Sequence, residues 1–361
     1  MRIFAFHLLN DYSGSPKVLK QLVNGWTQNG MDCHIVTCSG REGFLSDIKG
    51  AKYHHYWYRF AQNPFLRLIF LMISQLLLII KMYSIITKSD VIYVNTVLPF
   101  GAGILGKLKG CKVIYHIHET SMKPWLLKKI LFGIADVTST EIVYVSKYLS
   151  EQESMKKPGH VLYNALETTF LSTAIKNRKV TPDYKNVLMI CSLKAYKGVN
   201  EYLQLAKKNP EYAFRLVVNA SPMDIEGYFA GQNQPQNLTI FPTQKDVHPH
   251  YQWADVVLNL SRPDGWVETF GLTVIEAMAY GLPVIVPPVG GIAELVDKGV
   301  NGYKADSRNV NHISHLLVDI LEDKMHYQKL STYAKQLIIK YDEDSFVMKS
   351  CELLKVEPIA Q

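Results

Sequence analysis

The sequence predicts an α/β chain of two Rossmann-like halves with parallel sheets, facing one another across a cleft. Three observations carry that reading. The chain has 361 residues, 48% hydrophobic and 20% charged, an ordinary globular composition. At roughly 150 residues per domain it has room for two cores. Short apolar runs at 3–9, 33–38, 91–94, 112–117 and 141–145, then 187–191, 214–219, 238–241, 255–260 and 283–287, alternate with longer amphipathic stretches. That alternation is the pattern of βα units. Finally, a polar, turn-prone stretch at 171–186, with Thr173, Asn177, Pro182 and Asp183, divides the series. The expected division is a first domain over 1–170, a linker over 171–186 and a second domain over 187–340. A terminal helix over 341–361 is expected to pack back on the first domain.

The charge is uneven. The net charge is +7; residues 1–165 hold 19 Lys+Arg against 10 Asp+Glu, and residues 166–361 hold 20 against 22. A first half at +9 beside a second at −2 points to an anionic partner. The same half holds the most apolar segment, 64–88, where Leu68–Ile80 is interrupted only by Ser74 and Gln75 and bounded by Arg67 and Lys81. That window is short for a membrane span, and its periodicity fits a buried helix and one lying in a bilayer interface equally well. Five cysteines without a CxxC spacing argue against disulfides or zinc and for a reducing compartment. Met1–Leu9 reads as a first strand, with no signal-peptide cleavage site. The expected location is therefore cytoplasmic, with peripheral attachment to the inner face of the cytoplasmic membrane as an extension.

The densest chemistry lies in Glu268-Thr-Phe-Gly-Leu-Thr-Val-Ile-Glu276-Ala-Met-Ala-Tyr-Gly-Leu-Pro-Val and its continuation to Glu294. Gly271 permits a tight turn, Leu272–Tyr280 forms a short helix, Gly281 caps it in the left-handed region and Pro283 blocks continuation. The amides near Thr269, Phe270, Gly271, Leu272 and Thr273 then form an anion site at the helix start. Carboxylates beside such a site suit sugar hydroxyls, which makes Glu268 and Glu276 candidate hydroxyl acceptors. Taken alone, two glutamates eight positions apart would read as unrelated exposed acids.

The whole string resembles the signature of glycosyltransferase family 4, retaining enzymes of the GT-B architecture that include bacterial surface-polysaccharide transferases. The resemblance implies that Glu276 binds the nucleotide ribose and that Glu268 contacts the donor sugar near the reacting centre. Cys191-Ser192-Leu193-Lys194-Ala-Tyr-Lys197-Gly198 is similar to the family's Gly-Arg-Leu, three residues, Lys-Gly. Lys197 would neutralise the diphosphate. Cys191 and Ser192 depart from the pattern, so one expected cation is missing and Lys194 is the candidate substitute. His116-Ile-His118-Glu119 ends a strand where the family carries His-Asp or His-Glu; His118 takes the role beside the donor sugar. Gly14 and Ser15 match the family's Gly-Gly turn before the first helix.

Gly101-Ala-Gly103-Ile-Leu-Gly106 imitates a dinucleotide fingerprint, but six residues separate it from the preceding strand, so these glycines read as close helix packing. The expected activity is transfer of a sugar from a nucleoside diphosphate sugar to a hydroxyl of a glycan or lipid-linked glycan, in O-antigen, capsule or exopolysaccharide assembly. Neither a cofactor nor a metal is expected, nor a nucleic-acid partner, and a UDP-sugar is preferred to a GDP-sugar. An anionic membrane surface is a further expected partner. The rival readings are a GT-B nucleotide-sugar epimerase and a non-catalytic GT-B scaffold.

Overall fold

The computed structural model describes residues 1–157 and 159–355. These form two units, Met1–Asn164 together with the chain from Asp344, and Ala165–Glu343.

The first unit runs β1 (Arg2–Phe6), α1 (Gly14–Gln28), β2 (Asp32–Cys38), β3 (Lys52–Tyr56), α2 (Pro64–Tyr83), β4 (Val91–Asn95), α3 (Phe100–Lys109), β5 (Lys112–Ile117), α4 (Trp125–Thr138), β6 (Glu141–Tyr144), α5 (Lys147–Gln152) and β7 (Gly159–Val161). Its sheet has the order β3-β2-β1-β4-β5-β6-β7, with parallel pairing throughout. The inner strands are continuous apolar runs such as Ile3-Phe4-Ala5-Phe6 and Val91–Val94, all buried, because helices cover both faces of a parallel sheet. Edge strands β3 and β7 escape the apolar pattern: Gly-His-Val faces solvent, Lys-Tyr-His-His-Tyr buries only Tyr56, and each is held by pairing with one neighbour.

The second unit runs α6 (Thr168–Lys176), β8 (Asn186–Ser192), α7 (Val199–Lys208), β9 (Ala213–Asn219), α8 (Pro222–Phe229), β10 (Leu238–Phe241), α9 (His248–Trp253), β11 (Val256–Leu258), α10 (Leu272–Tyr280), β12 (Val284–Val286), β13 (Gly302–Lys304), α11 (Val310–Glu322) and α12 (Lys324–Leu337). Its parallel sheet has the order β10-β9-β8-β11-β12-β13. The segment expected as a linker over 171–186 begins inside α6, where Phe170 and Ala174 are buried within this unit. The polar residues Thr173, Lys176 and Asn177 that mark a linker in the sequence occupy the outer face and end of that helix. The helix α13 (Glu343–Leu354) belongs from Asp344 onward to the first unit. There Trp26 Nε1 of α1 donates to Ser350 Oγ at 2.9 Å, and Val347 packs so closely on Gly25 that any Cβ would collide with it. Residues 356–361 of the expected terminal segment lie outside the described residues.

Both sheets reverse their strand order once, between β1 and β4 and between β8 and β11. In open α/β sheets, ligands bind beyond the carboxyl ends of the strands at that point. The mimic of a dinucleotide fingerprint lies inside α3, away from any strand end. A Cβ on Gly103 would strike Tyr115 and Thr138, and one on Gly106 would strike Val113. Those glycines bring α3 close to β5, as the spacing predicts. One described helix, Pro64–Tyr83, is long and apolar enough to cross a membrane by length and composition.

Candidate functional site

In the second unit, the carboxyl ends of β8 and β11 carry a compact polar cluster. After Ser192 the chain makes a short 3-10 turn, Ala195–Lys197, and enters α7 through Gly198 at φ 78°. Glycine is needed there because a Cβ would run into the Leu260 carbonyl. This turn aims Lys197 at the loop after β11. Its Nζ lies 2.5 Å from Glu268 Oε1, and Ser261 Oγ donates to the same oxygen at 2.5 Å. The ammonium also lies over the rings of Tyr196 and Trp266, at 5.9 and 5.7 Å, and those rings stack on each other. Burial pushes the Cys191 thiol up to about 12, so at neutral pH it is a protonated wall of this site and supplies no charge.

Glu268 is positioned by backbone. Gly290, at φ 107°, allows its segment to press against the Glu268 carbonyl, and Ile292 N donates to that carbonyl at 3.4 Å. Gly271 immediately precedes α10, where a Cβ would meet Ile292 at 2.7 Å. Gly290 and Gly271 therefore set the height of the loop from Glu268 to Leu272. The first-turn amides of α10 point beyond its N-terminus, which favours an anion there. One turn in, Glu276 is buried and Tyr251 OH donates to its Oε2 at 2.7 Å. Gly281 ends α10 at φ 73° and Val284–Val286 follows as a strand, as the sequence pattern predicts. A cavity of about 30 Å³ lined by Tyr251, Tyr280, Gly281 and Lys335 lies toward the other end of α10 and is too small for a nucleotide.

Lys194 is exposed, and its charge acts on Asp224 at the start of α8. No described contact joins it to the Lys197–Glu268 pair. A guanidinium does occur close by: Arg262, on the loop after β11, lies 3.5 Å from Glu201 and 2.8 Å from Asp264. Ser261 and Tyr251 carry no chemical motif of their own, and only folding brings them to Glu268 and Glu276, as it brings Trp266 to Lys197.

The first unit holds its own cluster at the ends of β1, β4 and β5. His118 Nε2 donates to Asn95 Oδ1 at 2.9 Å, and Asn95 Nδ2 donates to the carbonyl of Ser15 at 3.1 Å. The fully buried Asn95 thereby ties the turn of Gly14 and Ser15, at the start of α1, to the imidazole. Burial, with His116 and His7 nearby, holds His118 well below the usual imidazole range, so the ring is neutral. With its Nε2–H committed to Asn95, Nδ1 is the accepting atom of this ring. His116 is a structural partner, its Nδ1 2.9 Å from Tyr93 OH, and burial lowers it to about 3. Glu119 accepts from Val97 N at 3.1 Å and His118 N at 3.0 Å, yet burial outweighs these bonds and pushes its carboxyl up to about 7. Among the described residues no three His, Cys, Asp or Glu side chains gather as a metal site.

Comparison with known proteins agrees with this architecture. Residues 12–169 match the family described as Glycosyltransferase Family 4, and residues 172–337 match Glycosyl transferases group 1. An uncharacterised glycosyltransferase of Methanocaldococcus jannaschii is 24% identical over 276 residues, 73% of this chain and 75% of that one. Sucrose synthase 2 of Pisum sativum is 43% identical over a stretch of 75 residues that spans 20% of this chain and only 9% of that much longer protein. Among solved structures, Anabaena HepE in complex with UDP-glucose superposes at a TM-score of 0.80, with 17% identity over 98% of this chain and 99% of that one. Two parallel-sheet Rossmann-like units of this kind make up the GT-B fold, and the two family matches place the chain among glycosyltransferases. The chain belongs to glycosyltransferase family 4.

Proposed function

We propose that this enzyme transfers a sugar from a UDP-sugar to a hydroxyl of a glycan or lipid-linked glycan in surface-polysaccharide assembly, with retention of anomeric configuration. The observation that carries the reading is the Lys197–Glu268–Ser261 cluster at the β8/β11 strand ends, set beside the N-terminus of α10. In this reading the diphosphate lies against Lys197 and the first-turn amides of α10, whose charge and dipole offset the negative charge that grows on the leaving group. These groups do the work that a divalent ion does elsewhere, so the reaction is metal-independent. Glu276 accepts from the ribose hydroxyls, and its bond from Tyr251 holds the carboxylate in place. Glu268 accepts from a hydroxyl of the transferred sugar, and His118 keeps the role that the family resemblance implies. The acceptor oxygen bonds to the anomeric carbon on the face that the diphosphate leaves, and the hydroxyl proton goes to the departing phosphate oxygen. The complex of Anabaena HepE with UDP-glucose supports uridine as the base. The site of action is the cytoplasm, at the inner face of the cytoplasmic membrane.

A thermal-shift screen against UDP-, GDP- and dTDP-sugars tests the donor, with UDP-sugars expected to stabilise most. Incubation with donor alone separates the rival chemistry, because an epimerase converts the sugar without an acceptor. Absence of any nucleotide binding in calorimetry would favour the scaffold reading, for which Ser192 in place of the family arginine is the motivating feature.

A further inference from the structure

The helix α2 is built inside out. Its inward stripe is Leu71, Ser74, Gln75, Leu78 and Met82, so the two uncharged polar residues of its apolar run face the protein. Gln75 Oε1 accepts from Gly101 N of α3 at 3.0 Å, and Ser74 Oγ donates to the Leu71 carbonyl. The outward face carries Phe65, Leu66, Ile69, Met72, Ile73, Leu76, Leu77 and Ile80, with Phe65 70%, Leu76 58% and Ile80 63% exposed. Only 28% of the helix's most apolar window is buried. A helix of a water-soluble surface has the opposite arrangement. The side chains most costly to leave in water are those given to the outside, so the medium facing α2 is apolar.

The apolar surface continues across the unit. Helix α3 packs beside α2 and α4 beside α3, and α4 in turn exposes Trp125 (69%), Leu126, Ile130 and Val137. The starts of α2 and α4 both follow strand ends on the carboxyl side of the sheet, the side that carries His118. The surface is cationic as well as apolar. No Asp or Glu occurs from Trp57 to Ser89 or within α3, whereas Arg59, Arg67, Lys81, Lys88, Lys107 and Lys109 do; α4 adds Lys129 and Lys128, the latter paired with Glu153, against one acid, Asp136. Cations sit over the aromatic rings of this face: Arg67 over Phe60 at 4.4 Å, Lys109 over Tyr83 at 3.7 Å and Lys129 over Trp125 at 5.4 Å. Aromatic rings capped by cations suit the headgroup layer, where an apolar body and a charged tip are solvated at once.

We propose that the outward faces of α2 and α4 form a seat on an anionic lipid bilayer, with α2 lying in the interface. It does not cross the bilayer. Strands β3 and β4, which flank α2, belong to the same sheet, and Lys81 Nζ near its end donates to the His55 carbonyl of β3 at 2.6 Å. Both ends of the helix are therefore anchored on one side of the lipid. The choice of a bilayer over a second copy of this chain rests on charge. Two copies of a face with a large excess of cations would repel, whereas acidic headgroups complement it. This seat extends the lipid-linked acceptor of the proposed function, since it would bring the carboxyl ends of the first sheet to the membrane surface.

The test is co-sedimentation of the full chain with vesicles of phosphatidylglycerol and phosphatidylcholine, compared with phosphatidylcholine alone, without donor or acceptor. Binding to the anionic vesicles is expected to fall with salt and to weaken about fivefold for each cation removed, as in Lys88→Gln and Lys129→Gln. Leu76→Glu with Ile80→Glu, on the outward face of α2 and outside the unit that holds the nucleotide cluster, should abolish sedimentation while leaving UDP binding by calorimetry unchanged. Equal vesicle binding by that double variant would overturn the proposal. So would a lipid-free dimer that the same two substitutions dissociate. Failure of UDP binding in the wild-type chain would refute the donor assignment and leave the vesicle result standing on its own.

Discussion

Glu268→Gln gives the sharpest test of the nucleotide cluster because it preserves shape while removing one charge. Lys197 Nζ and Glu268 Oε1 are 2.5 Å apart, and the two side chains are 16% and 15% exposed. The carboxylate therefore takes up much of the field of the ammonium that the donor diphosphate would use. A phosphate oxygen on the other side of the ammonium would sit about 5 Å from the carboxylate, where repulsion at an effective dielectric of about 20 is about 3 kcal/mol. Solvent at the open side of the site screens part of this, leaving about 1–1.5 kcal/mol, so UDP should bind about tenfold more tightly to the variant. Turnover should move the other way, falling about 100-fold or more, because a carboxylate that accepts from the reacting sugar acts chiefly in the transition state. Calorimetry with UDP at fixed ionic strength, paired with single-turnover transfer, reads both quantities. Weaker UDP binding with turnover intact would refute the reasoning and reassign Glu268 to holding the nucleotide.

Glu276→Ala should weaken UDP about 10- to 100-fold in calorimetry, since it removes the proposed ribose partner and leaves the buried Tyr251 hydroxyl without its carboxylate. Tyr251→Phe should show a smaller loss, as the carboxylate remains but is less firmly held. Gly198→Ala places a Cβ against the Leu260 carbonyl at φ 78°, and is expected to cost about 1–3 kcal/mol in denaturant unfolding and to displace Lys197 from Glu268. Burial raises Glu119 from an ordinary 4.5 to about 7, so the folded chain holds this proton more tightly than the unfolded chain. Its stabilising effect is full below pH 4.5 and is lost as pH rises through 7, a change of about 3 kcal/mol. The stability difference between wild type and Glu119→Gln, measured by urea unfolding at pH 4.5, 6 and 8, should follow that curve; a difference independent of pH would refute it.

Much of the second unit was legible from the chain alone because its signals are local. The helix Leu272–Tyr280, its left-handed stop at Gly281 and the strand Val284–Val286 follow from glycine, proline and a run of apolar residues that act over a few positions. The edge strands β3 and β7 were not legible, because an edge needs only backbone pairing with one neighbour and leaves no apolar run to read, and β13 has only three residues, Gly-Tyr-Lys. The start of α6 was hidden for a related reason: two buried residues, Phe170 and Ala174, outweigh a polar outer face once the unit is there to receive them.

The same division applies to function. By itself the sequence determined the fold class and the family and proposed the residue types of a candidate site, since glycines at turns, apolar strands and the spacing from Glu268 to Glu276 are properties of the chain in order. Only the tertiary structure decided which side chains meet: Lys197 with Glu268 across 71 positions, Tyr251 with Glu276, and Asn95 with His118. It also decided the orientation of α2. Hydropathy is summed along a helix and is the same whichever face turns inward, and it was the packing of Gln75 on α3 that left Phe65, Leu76 and Ile80 outside.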